Sequence, residues 1–249
     1  MRRALSVGLP FALAVISSAL VLAQQPAQGQ RAAGGTGGAR ASAAGAILKV
    51  EWVQPAGQTG QVPLVQGNVA DPNVVVHWYG EAAKHLLTSG TPGSETTPFS
   101  VWSGECERPF ATLFRHKTSY VDLTGAAKIR WAVKTSGFHA ARPVVKLADG
   151  SMFVGETAAT SVPMLLQGEV PLGAIRWIKL DPARVVTMGL QPAPFNEIWV
   201  PKVDLSRVDE VGFVDLMPGS GHGTGGYIHV SQFQVYGKAV PRAASTASR

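Results

Sequence analysis

The sequence predicts an all-β protein, an antiparallel β-sandwich or jelly roll with at most one or two short helices. The 249 residues include 28 Gly and 17 Pro, which are frequent in turns and rare inside helices. Only 15% of the residues are charged, whereas long exposed helices carry many Glu, Lys and Arg side chains. Short segments with an apolar residue at every second position recur along the chain. These observations exclude a helical bundle and a coiled coil, and they favour sheets.

Alternating segments separated by turn residues define the predicted strands. In chain order they are 47–53, 73–79, 129–134, 143–147, 151–154, 175–180, 184–188, 210–216 and 228–236. The clearest is 129–134, where Ile129, Trp131 and Val133 share one face and the residues between them share the other. Nine or more short strands without alternating helices indicate a sandwich.

Three local features refine this prediction. Asp149-Gly150 predicts a tight hairpin turn between two of the strands. The last strand changes its apolar phase between Val230 and Phe233, which indicates a β-bulge. Residues 81–87, followed by Gly90, are the segment that we expect to form a short helix.

The two ends of the chain differ in composition from the predicted sandwich. Residues 1–23 have a positive start, an uncharged apolar run and a small-residue end, which is the plan of a cleaved secretory signal. An uncleaved membrane anchor is the alternative. Residues 24–46 predict a flexible linker and 241–249 a disordered tail, so that 47–240 is one folded domain. We therefore expect an exported protein, periplasmic or extracellular, with no membrane insertion after cleavage.

The net charge of +6 belongs to the ends of the chain. Residues 47–237 contain fifteen of the 22 basic residues against all 16 acidic ones. The predicted domain therefore has no excess of cations for a phosphate backbone, and we expect no nucleic-acid partner. No glycine motif lies between a strand and a helix, so no nucleotide cofactor is expected either. No pattern in the sequence sets an oligomeric state.

The second half of the chain resembles a known family of β-sandwiches. An Asp-Leu-Thr-Gly stretch at 122–125 precedes a strand, Asp-Leu-Ser at 204–206 precedes another, and the last strand ends in Phe-Gln-Val-Tyr-Gly at 233–237. Over 120–237 these segments resemble galactose-binding-like jelly rolls, which include carbohydrate-binding modules and discoidin-like domains. The resemblance implies a binding module for a polysaccharide or a cell-surface glycan. It also implies a structural calcium ion, although no calcium ligand of the family can be matched to a residue here.

Four residues are predicted to contact a ligand. Sugar rings present apolar C–H faces that aromatic side chains bind, while polar side chains meet the hydroxyls. Trp131 and Trp177 alternate with apolar neighbours and are assigned to the core. The remaining aromatic candidates and one loop histidine are Tyr79, Trp102, His222 and Tyr227. They point to the loops 88–107 and 218–228 as the site.

Catalytic patterns are weaker than the binding pattern. Three groups of side chains were weighed: the acids Glu95, Glu105 and Glu107 for glycoside hydrolysis, Arg115, His116 and Tyr120 for a lyase, and Asp215, His222 and His229 for a metal site. None has the spacing of a characteristic motif. The single cysteine, Cys106, is expected to be buried and inert.

We therefore expect a secreted, non-catalytic carbohydrate- or surface-binding protein. A polysaccharide-active enzyme, either a lyase or a hydrolase, is one alternative. A structural envelope protein that binds protein partners is another. Two or three convergent titratable groups in one cleft would favour the enzyme, and a large exposed apolar patch would favour the structural protein.

Overall fold

The computed structural model describes residues 45–80, 85–189, 199–220 and 225–242. These residues form two antiparallel sheets, which confirms the predicted β-sandwich class. The strands are β1 (Leu48–Glu51), β2 (Val74–Gly80), β3 (Leu87–Ser89), β4 (Ser100–Trp102), β5 (Phe110–His116), β6 (Ser119–Asp122), β7 (Lys128–Ser136), β8 (Ala140–Leu147), β9 (Met152–Gly155), β10 (Ala159–Thr160), β11 (Leu166–Pro171), β12 (Trp177–Asp181), β13 (Val186–Thr187), β14 (Trp199–Val200), β15 (Val208–Asp215), β16 (Tyr227–Tyr236) and β17 (Lys238–Pro241). Short 3-10 helices lie at Gln66–Asn68, Leu172–Ala174 and Leu205–Arg207.

The two sheets differ in size. The smaller sheet has the strand order β11-β7-β16-β4-β3, and β1 pairs with β16 beyond the end of β4. The larger sheet has the order β13-β12-β9-β8-β15-β5-β2. Strands β10 and β14 pair with β8 and β12, while β6 joins β17 to β15. Every pairing between these strands is antiparallel. The strand orders do not follow the chain, so neighbouring strands are often distant in the sequence.

The main apolar core lies between the sheets. Trp131 and Trp177 are buried in it, as their alternation with apolar residues predicts. Phe114 and Phe213 from the larger sheet meet Phe233 from the smaller one, with ring centroids 5.1 to 6.2 Å apart. These rings join the two sheets by direct contact.

The predicted hairpin and the predicted bulge are both present. Strands β8 and β9 pair around a turn in which Gly150 has a φ of 89°. Glycine suits this position because an L side chain rarely adopts such a φ. In β16 the register with β7 shifts between Val230 and Gln232, which confirms the bulge. Ser231 is the extra residue in β16. Because of it, the side chains of Val230 and Phe233 both point into the core although they are three positions apart.

Several elements differ from the predictions. Leu87, expected at the end of a helix, begins strand β3, and the start of that predicted helix, 81–84, lies outside the described residues. The predicted loop 88–107 contains strand β4, and β5, β6, β10, β11, β14 and β17 are not among the strands predicted above. Strand β5 is buried on both faces and the others are short or strongly polar, so they lack the alternation that marks a half-buried strand.

The predicted C-terminal tail begins too early. Pro241 ends strand β17, which pairs with β6. Arg242 donates hydrogen bonds from Nε to the His116 carbonyl at 3.1 Å and from Nη2 to the Asp209 carbonyl at 3.3 Å. The folded domain therefore extends at least to Arg242. Residues 243–249, together with the predicted signal and residues 24–44 of the linker, lie outside the described part of the chain.

A second apolar layer covers part of the outer face of the larger sheet. It contains Leu113, Val144, Met152, Leu180 and Val214, all buried. The chain after β12 folds over this layer and buries Val185 against it. Val185 has a φ of 55°, a strained conformation for a β-branched residue. The buried contacts of its side chain hold this conformation in place.

In the described part of the chain, no helix is both long and apolar enough to cross a membrane.

Candidate functional site

Strand pairing brings two of the predicted ligand residues together. Trp102 at the end of β4 lies opposite His229 of β16, and Tyr227 precedes His229 by two residues on the same face. The ring centroids of Trp102 and Tyr227 are 6.4 Å apart. Lys134 of β7 lies opposite His229 on the other side of β16. We call Trp102, Lys134, Tyr227 and His229 the aromatic cluster; it lies on the outer face of the smaller sheet.

The rings of the aromatic cluster hold each other in fixed orientations. Trp102 stacks on His229 with centroids 6.1 Å apart and an interplanar angle of 24°. Tyr227 meets His229 edge to face at 5.2 Å. The ammonium group of Lys134 lies 5.5 Å from the centroid of the Tyr227 ring, within cation–π range. The cluster therefore has little rotamer freedom to lose when a ligand binds.

Burial makes His229 a neutral side chain. It lowers the pKa of the His229 imidazole to about 4, with a further contribution from the charge of Lys134. Ser100 Oγ lies 3.2 Å from His229 Nδ1. At neutral pH the ring thus carries one donor and one acceptor nitrogen, and it adds no charge to the cluster.

Two grooves flank the cluster and share Lys134 and Pro163. The first, of about 240 Å³, is lined by His229 together with hydroxyl-bearing side chains and the apolar Met164. The second, of about 410 Å³, is lined by Tyr227 and by the chain at 134–137. Their hydroxyl groups belong to Ser89, Thr96, Thr97, Ser100, Thr135, Ser136 and Ser161. Hydroxyls beside aromatic rings are the surface that pyranose sugars require.

The two predicted site loops are bonded to one another. Ser103, directly after Trp102, accepts a hydrogen bond on Oγ from the Ile228 amide at 2.9 Å. Its own amide donates to the Ile228 carbonyl at 3.0 Å. The amide of Ser220 donates to the Cys106 carbonyl, also at 3.0 Å. The described parts of loops 88–107 and 218–228 are therefore bonded together as one rim beside the aromatic cluster.

A buried histidine–aspartate pair is hydrogen-bonded to the chain that forms this rim. His139 Nδ1 lies 2.6 Å from Asp215 Oδ2, and both side chains are buried. Ser220 Oγ lies 3.3 Å from the same nitrogen, and Asp215 Oδ1 accepts from the Met217 amide at 3.0 Å. Burial raises the pKa of the Asp215 carboxyl. Because the serine and the aspartate meet one ring nitrogen, the imidazole cannot relay a proton between them as it does in a catalytic triad.

Of the other two predicted ligand residues, only Tyr79 is described. Tyr79 is on β2 in the larger sheet, so it is not part of the aromatic cluster. Its hydroxyl donates to Glu210 Oε2 at 2.8 Å and accepts from Lys146 Nζ at 2.8 Å. Burial raises the pKa of Tyr79 to about 12, and the Glu210 carboxylate adds to this. His222 lies outside the described residues.

Among the described residues, the three groups considered for catalysis or metal binding do not form sites; His222 of the third group lies outside the described residues. Arg115 faces the outer surface of the larger sheet, His116 Nδ1 lies 2.9 Å from Ser119 Oγ in the following turn, and Tyr120 lies under Arg242. Asp215 is bonded to His139 rather than to His229.

Glu95, Glu105 and Glu107 are exposed on their loop, while Cys106 between the last two is buried. Burial raises the pKa of the Cys106 thiol to about 12, with a contribution from Asp215, so the thiol stays protonated. This agrees with the expectation of an inert cysteine.

No group of three or more His, Cys, Asp and Glu side chains in the described ranges is arranged to hold a metal ion.

The sequence analysis did not identify Lys134, and it considered His229 for a metal site that its spacing did not support. The alternation in 129–134 already directs Lys134 to the polar face of its strand. What the sequence lacks is the pairing of β7 and β4 with the two sides of β16, which brings Lys134 and Trp102 to His229 from 95 and 127 positions away.

Comparison with known proteins gives similar folds only. No family model and no curated protein matches the chain. The family 11 carbohydrate-binding module of a cellulosomal cellulase of Clostridium thermocellum is similar over 73% of this chain and 96% of its own, at 13% identity and a TM-score of 0.38. The same module in complex with a mixed-linked tetrasaccharide gives 14% identity, 72% and 97% coverage and a TM-score of 0.37. An exo-β-agarase is similar over 74% of this chain and 25% of its own, at 9% identity and a TM-score of 0.37.

Proposed function

We propose that the protein is an exported, non-catalytic carbohydrate-binding protein. The glycan lies along the outer face of the smaller sheet, with a sugar ring against Tyr227 and Trp102. The observation that carries this proposal is the convergence of these two rings through the pairing of β4 with β16, between two grooves lined by hydroxyl groups. Export is inferred from residues 1–23 of the sequence.

The aromatic cluster supplies the interactions that sugars use. The Tyr227 ring offers an apolar surface for a sugar ring. The neutral imidazole of His229 offers a hydrogen-bonding nitrogen, and the Lys134 ammonium offers three hydrogen-bond donors.

The densest group of titratable side chains does not favour catalysis. Tyr79, Lys146 and Glu210 are bonded together on the larger sheet. Burial acts to raise the pKa of the Glu210 carboxyl, but hydrogen bonds from His77 and Tyr79 outweigh it and lower the pKa. A glycosidase needs one protonated carboxyl group as its acid, and Glu210 is ionised. Tyr79, with its raised pKa, stays protonated at neutral pH and is a poor base for a lyase.

The proposal is tested by measuring the binding of the purified protein to a panel of neutral polysaccharides by affinity electrophoresis and calorimetry. We expect at least one member of the panel to bind, with no release of reducing ends or unsaturated products. Tyr227→Ala should weaken binding at least tenfold, which corresponds to about 1.4 kcal/mol. Tyr236→Ala is the matched control because Tyr236 lies on the same strand and beside Lys128 and Arg130, away from the cluster.

Three results would contradict the proposal. If Tyr227→Ala and Tyr236→Ala bind as tightly as the wild type, the aromatic cluster is not the site. If a product is released, the protein is an enzyme. A failure of every polysaccharide to bind would favour the structural role in the envelope.

A further inference from the structure

A second groove lies on the outer face of the larger sheet. It has a volume of about 530 Å³. Its polar side chains come from four neighbouring strands: His77 and Tyr79 from β2, Arg115 from β5, Lys146 from β8, and Asp209 and Glu210 from β15. The aromatic cluster belongs to the other sheet, so the main core separates the two regions. We call this second region the polar groove.

Strand register builds the polar groove from residues that are distant in the sequence. Glu210 pairs with Lys146, and Arg115 pairs with Val75 of the edge strand β2. The register of β15 shifts between Val208 and Glu210. This irregularity allows two successive carboxylates to line one groove, although side chains of a regular strand alternate between faces.

Negative charge lies deep in the polar groove and positive charge lies at its surface. The side chains of Glu210 and Asp209 are 2% and 16% exposed. Those of Lys146, His77 and Arg115 are 24%, 33% and 40% exposed. A molecule that approaches from solvent therefore meets cationic and hydrogen-bond-donating groups first.

The buried carboxylates hold these donors in place. Glu210 accepts hydrogen bonds from Tyr79 and from Lys146 Nζ, the latter at 3.1 Å, and its Oε1 lies 2.9 Å from His77 Nδ1. Asp209 is ion-paired with Arg242, and its Oδ1 lies 3.4 Å from Arg115 Nε. The Lys146 ammonium also lies 5.2 Å from the Tyr79 ring centroid. The cations are thus positioned before any ligand arrives, which lowers the entropic cost of binding.

Buried polar atoms without hydrogen bonds are concentrated here. Of the eight such side-chain atoms in the described residues, four belong to residues that line the polar groove: His77 Nδ1, Trp78 Nε1, Arg115 Nε and Asp209 Oδ1. Three of them nevertheless lie in ion pairs: His77 with Glu210, and Arg115 and Arg242 with Asp209. These ion pairs compensate the buried atoms, and the charged side chains that stay accessible to a ligand are those of Lys146 and Arg115.

We propose that the polar groove is a second binding site, which takes a uronate residue of an acidic polysaccharide with its carboxylate on Lys146 and Arg115. The mixture of donors and acceptors favours a sugar. Each sugar hydroxyl both donates and accepts, so it matches a groove lined by the donors of Lys146 and Arg115 together with the carboxylate of Asp209. The carboxylate meets the two cations, and a guanidinium is well shaped to bind it. This inference does not depend on glycan binding by the aromatic cluster.

The test compares acidic polymers with their uncharged derivatives. Polygalacturonate, alginate and hyaluronate are titrated into the full-length protein at physiological salt, each beside its methyl-esterified form. We expect at least one acidic polymer to bind at least tenfold more tightly than its ester. Arg115→Gln and Lys146→Met should each weaken that binding at least tenfold. Because Lys146 also bonds Tyr79 and Glu210, the decisive variant is Arg115→Gln, whose thermal midpoint is measured in parallel.

Matched controls separate a specific site from general charge attraction. Lys128→Met and Arg130→Gln remove the same charges from the outer face of the smaller sheet, where both residues pair with Glu169. They should leave the affinity unchanged. If they weaken binding as much as the groove variants, the attraction is non-specific and the proposal is overturned. It is also overturned if no acidic polymer binds, or if acid and ester bind equally.

Two further probes test the class of ligand. If dextran sulfate binds more tightly than every uronate polymer, the group that the polar groove recognises is a sulfate ester and not a carboxylate. Polyglutamate that binds as tightly as the best polysaccharide would overturn the sugar assignment in favour of an acidic protein. The Tyr227→Ala experiment on neutral glycans does not depend on any of these outcomes. The proposal for the aromatic cluster and the proposal for the polar groove can therefore be contradicted independently.

Discussion

At the scale of single residues, the surroundings of a side chain set its charge and its use. His229 and His139 both lie on or beside the smaller sheet, but their surroundings differ. His229 is stacked on Trp102, whereas His139 is bonded to the buried carboxylate of Asp215. Burial lowers the pKa of His229 to about 4, whereas the usual value is about 6.5. From the sequence, His229 was considered only for a metal site, and its spacing did not support that site. Its neighbours in space make it a neutral partner for a ligand.

The low pKa of His229 predicts a loss of stability in acid. Between pH 6.5 and 4 the unfolded chain binds a proton at this histidine and the folded chain does not. The free energy of unfolding therefore falls as the pH falls through this range, by about 1.4 kcal/mol for each unit between the two pKa values. Below pH 4 both states are protonated and the loss is complete.

This prediction is checked by urea unfolding of the wild type and of His229→Gln from pH 7 to pH 4. The difference between the two proteins should shrink or reverse in sign as the pH falls, because only the wild type loses this contribution. A titration of the His229 ring followed by NMR should give a pKa near 4. A pKa near 6.5 would contradict the prediction.

At the scale of secondary-structure elements, β15 is the strand on which the larger sheet depends. It pairs with β8 on one side and β5 on the other. Its Gly212 lies so close to β5 that an added Cβ would be 1.9 Å from the Thr112 carbonyl oxygen. The sequence predicted this strand from its apolar alternation. It did not indicate why a glycine stands in the middle, since the reason is a contact with a distant strand.

We expect Gly212→Ala to destabilise the protein by about 1–3 kcal/mol, because β15 and β5 must move apart to admit the methyl group. Gly168→Ala on β11 is the matched control, since its Cβ would have only an ordinary contact, 3.4 Å from Trp131 Nε1. It should change the stability by no more than about 0.5 kcal/mol. Urea midpoints measure both variants. If the two variants lose the same stability, the close contact of Gly212 with Thr112 is not the cause of the loss.

At the scale of the whole molecule, the contact between the two sheets is what holds the sites in place. Phe114 touches Phe213 in its own sheet and Phe233 and Trp52 from the smaller sheet or its edge. The aromatic cluster and the polar groove lie on the two outer faces, so this layer supports both. A loss of packing in the core should therefore loosen the whole sandwich rather than one site.

Phe114→Ala should lower the free energy of unfolding by about 3–5 kcal/mol, because it leaves a cavity among buried rings. Phe138→Ala serves as the control because Phe138, at the turn after β7, is 89% exposed. Its stability should lie within about 0.5 kcal/mol of the wild type. Both variants are compared by urea unfolding monitored by tryptophan fluorescence. A Phe114→Ala variant as stable as the control would contradict the description of the core.

The sequence by itself determined the fold class, the inward and outward faces of the main strands, the hairpin at Gly150 and the bulge near Ser231. It also identified Trp102 and Tyr227 as ligand candidates on two loops. These results rest on periodicity and turn chemistry, which act over a few residues.

Only the tertiary structure decided which residues meet. Alternation shows whether a side chain faces the core, but it does not show which strand lies beside it. The pairing of β4 with β16 joins Trp102 to Tyr227, and the pairing of β15 with β8 joins Glu210 to Lys146. Tyr79, predicted to act with Trp102, belongs instead to the other sheet. In an antiparallel sandwich, neighbours in space are set by long-range pairing and core packing, and a single sequence carries no local signal for either.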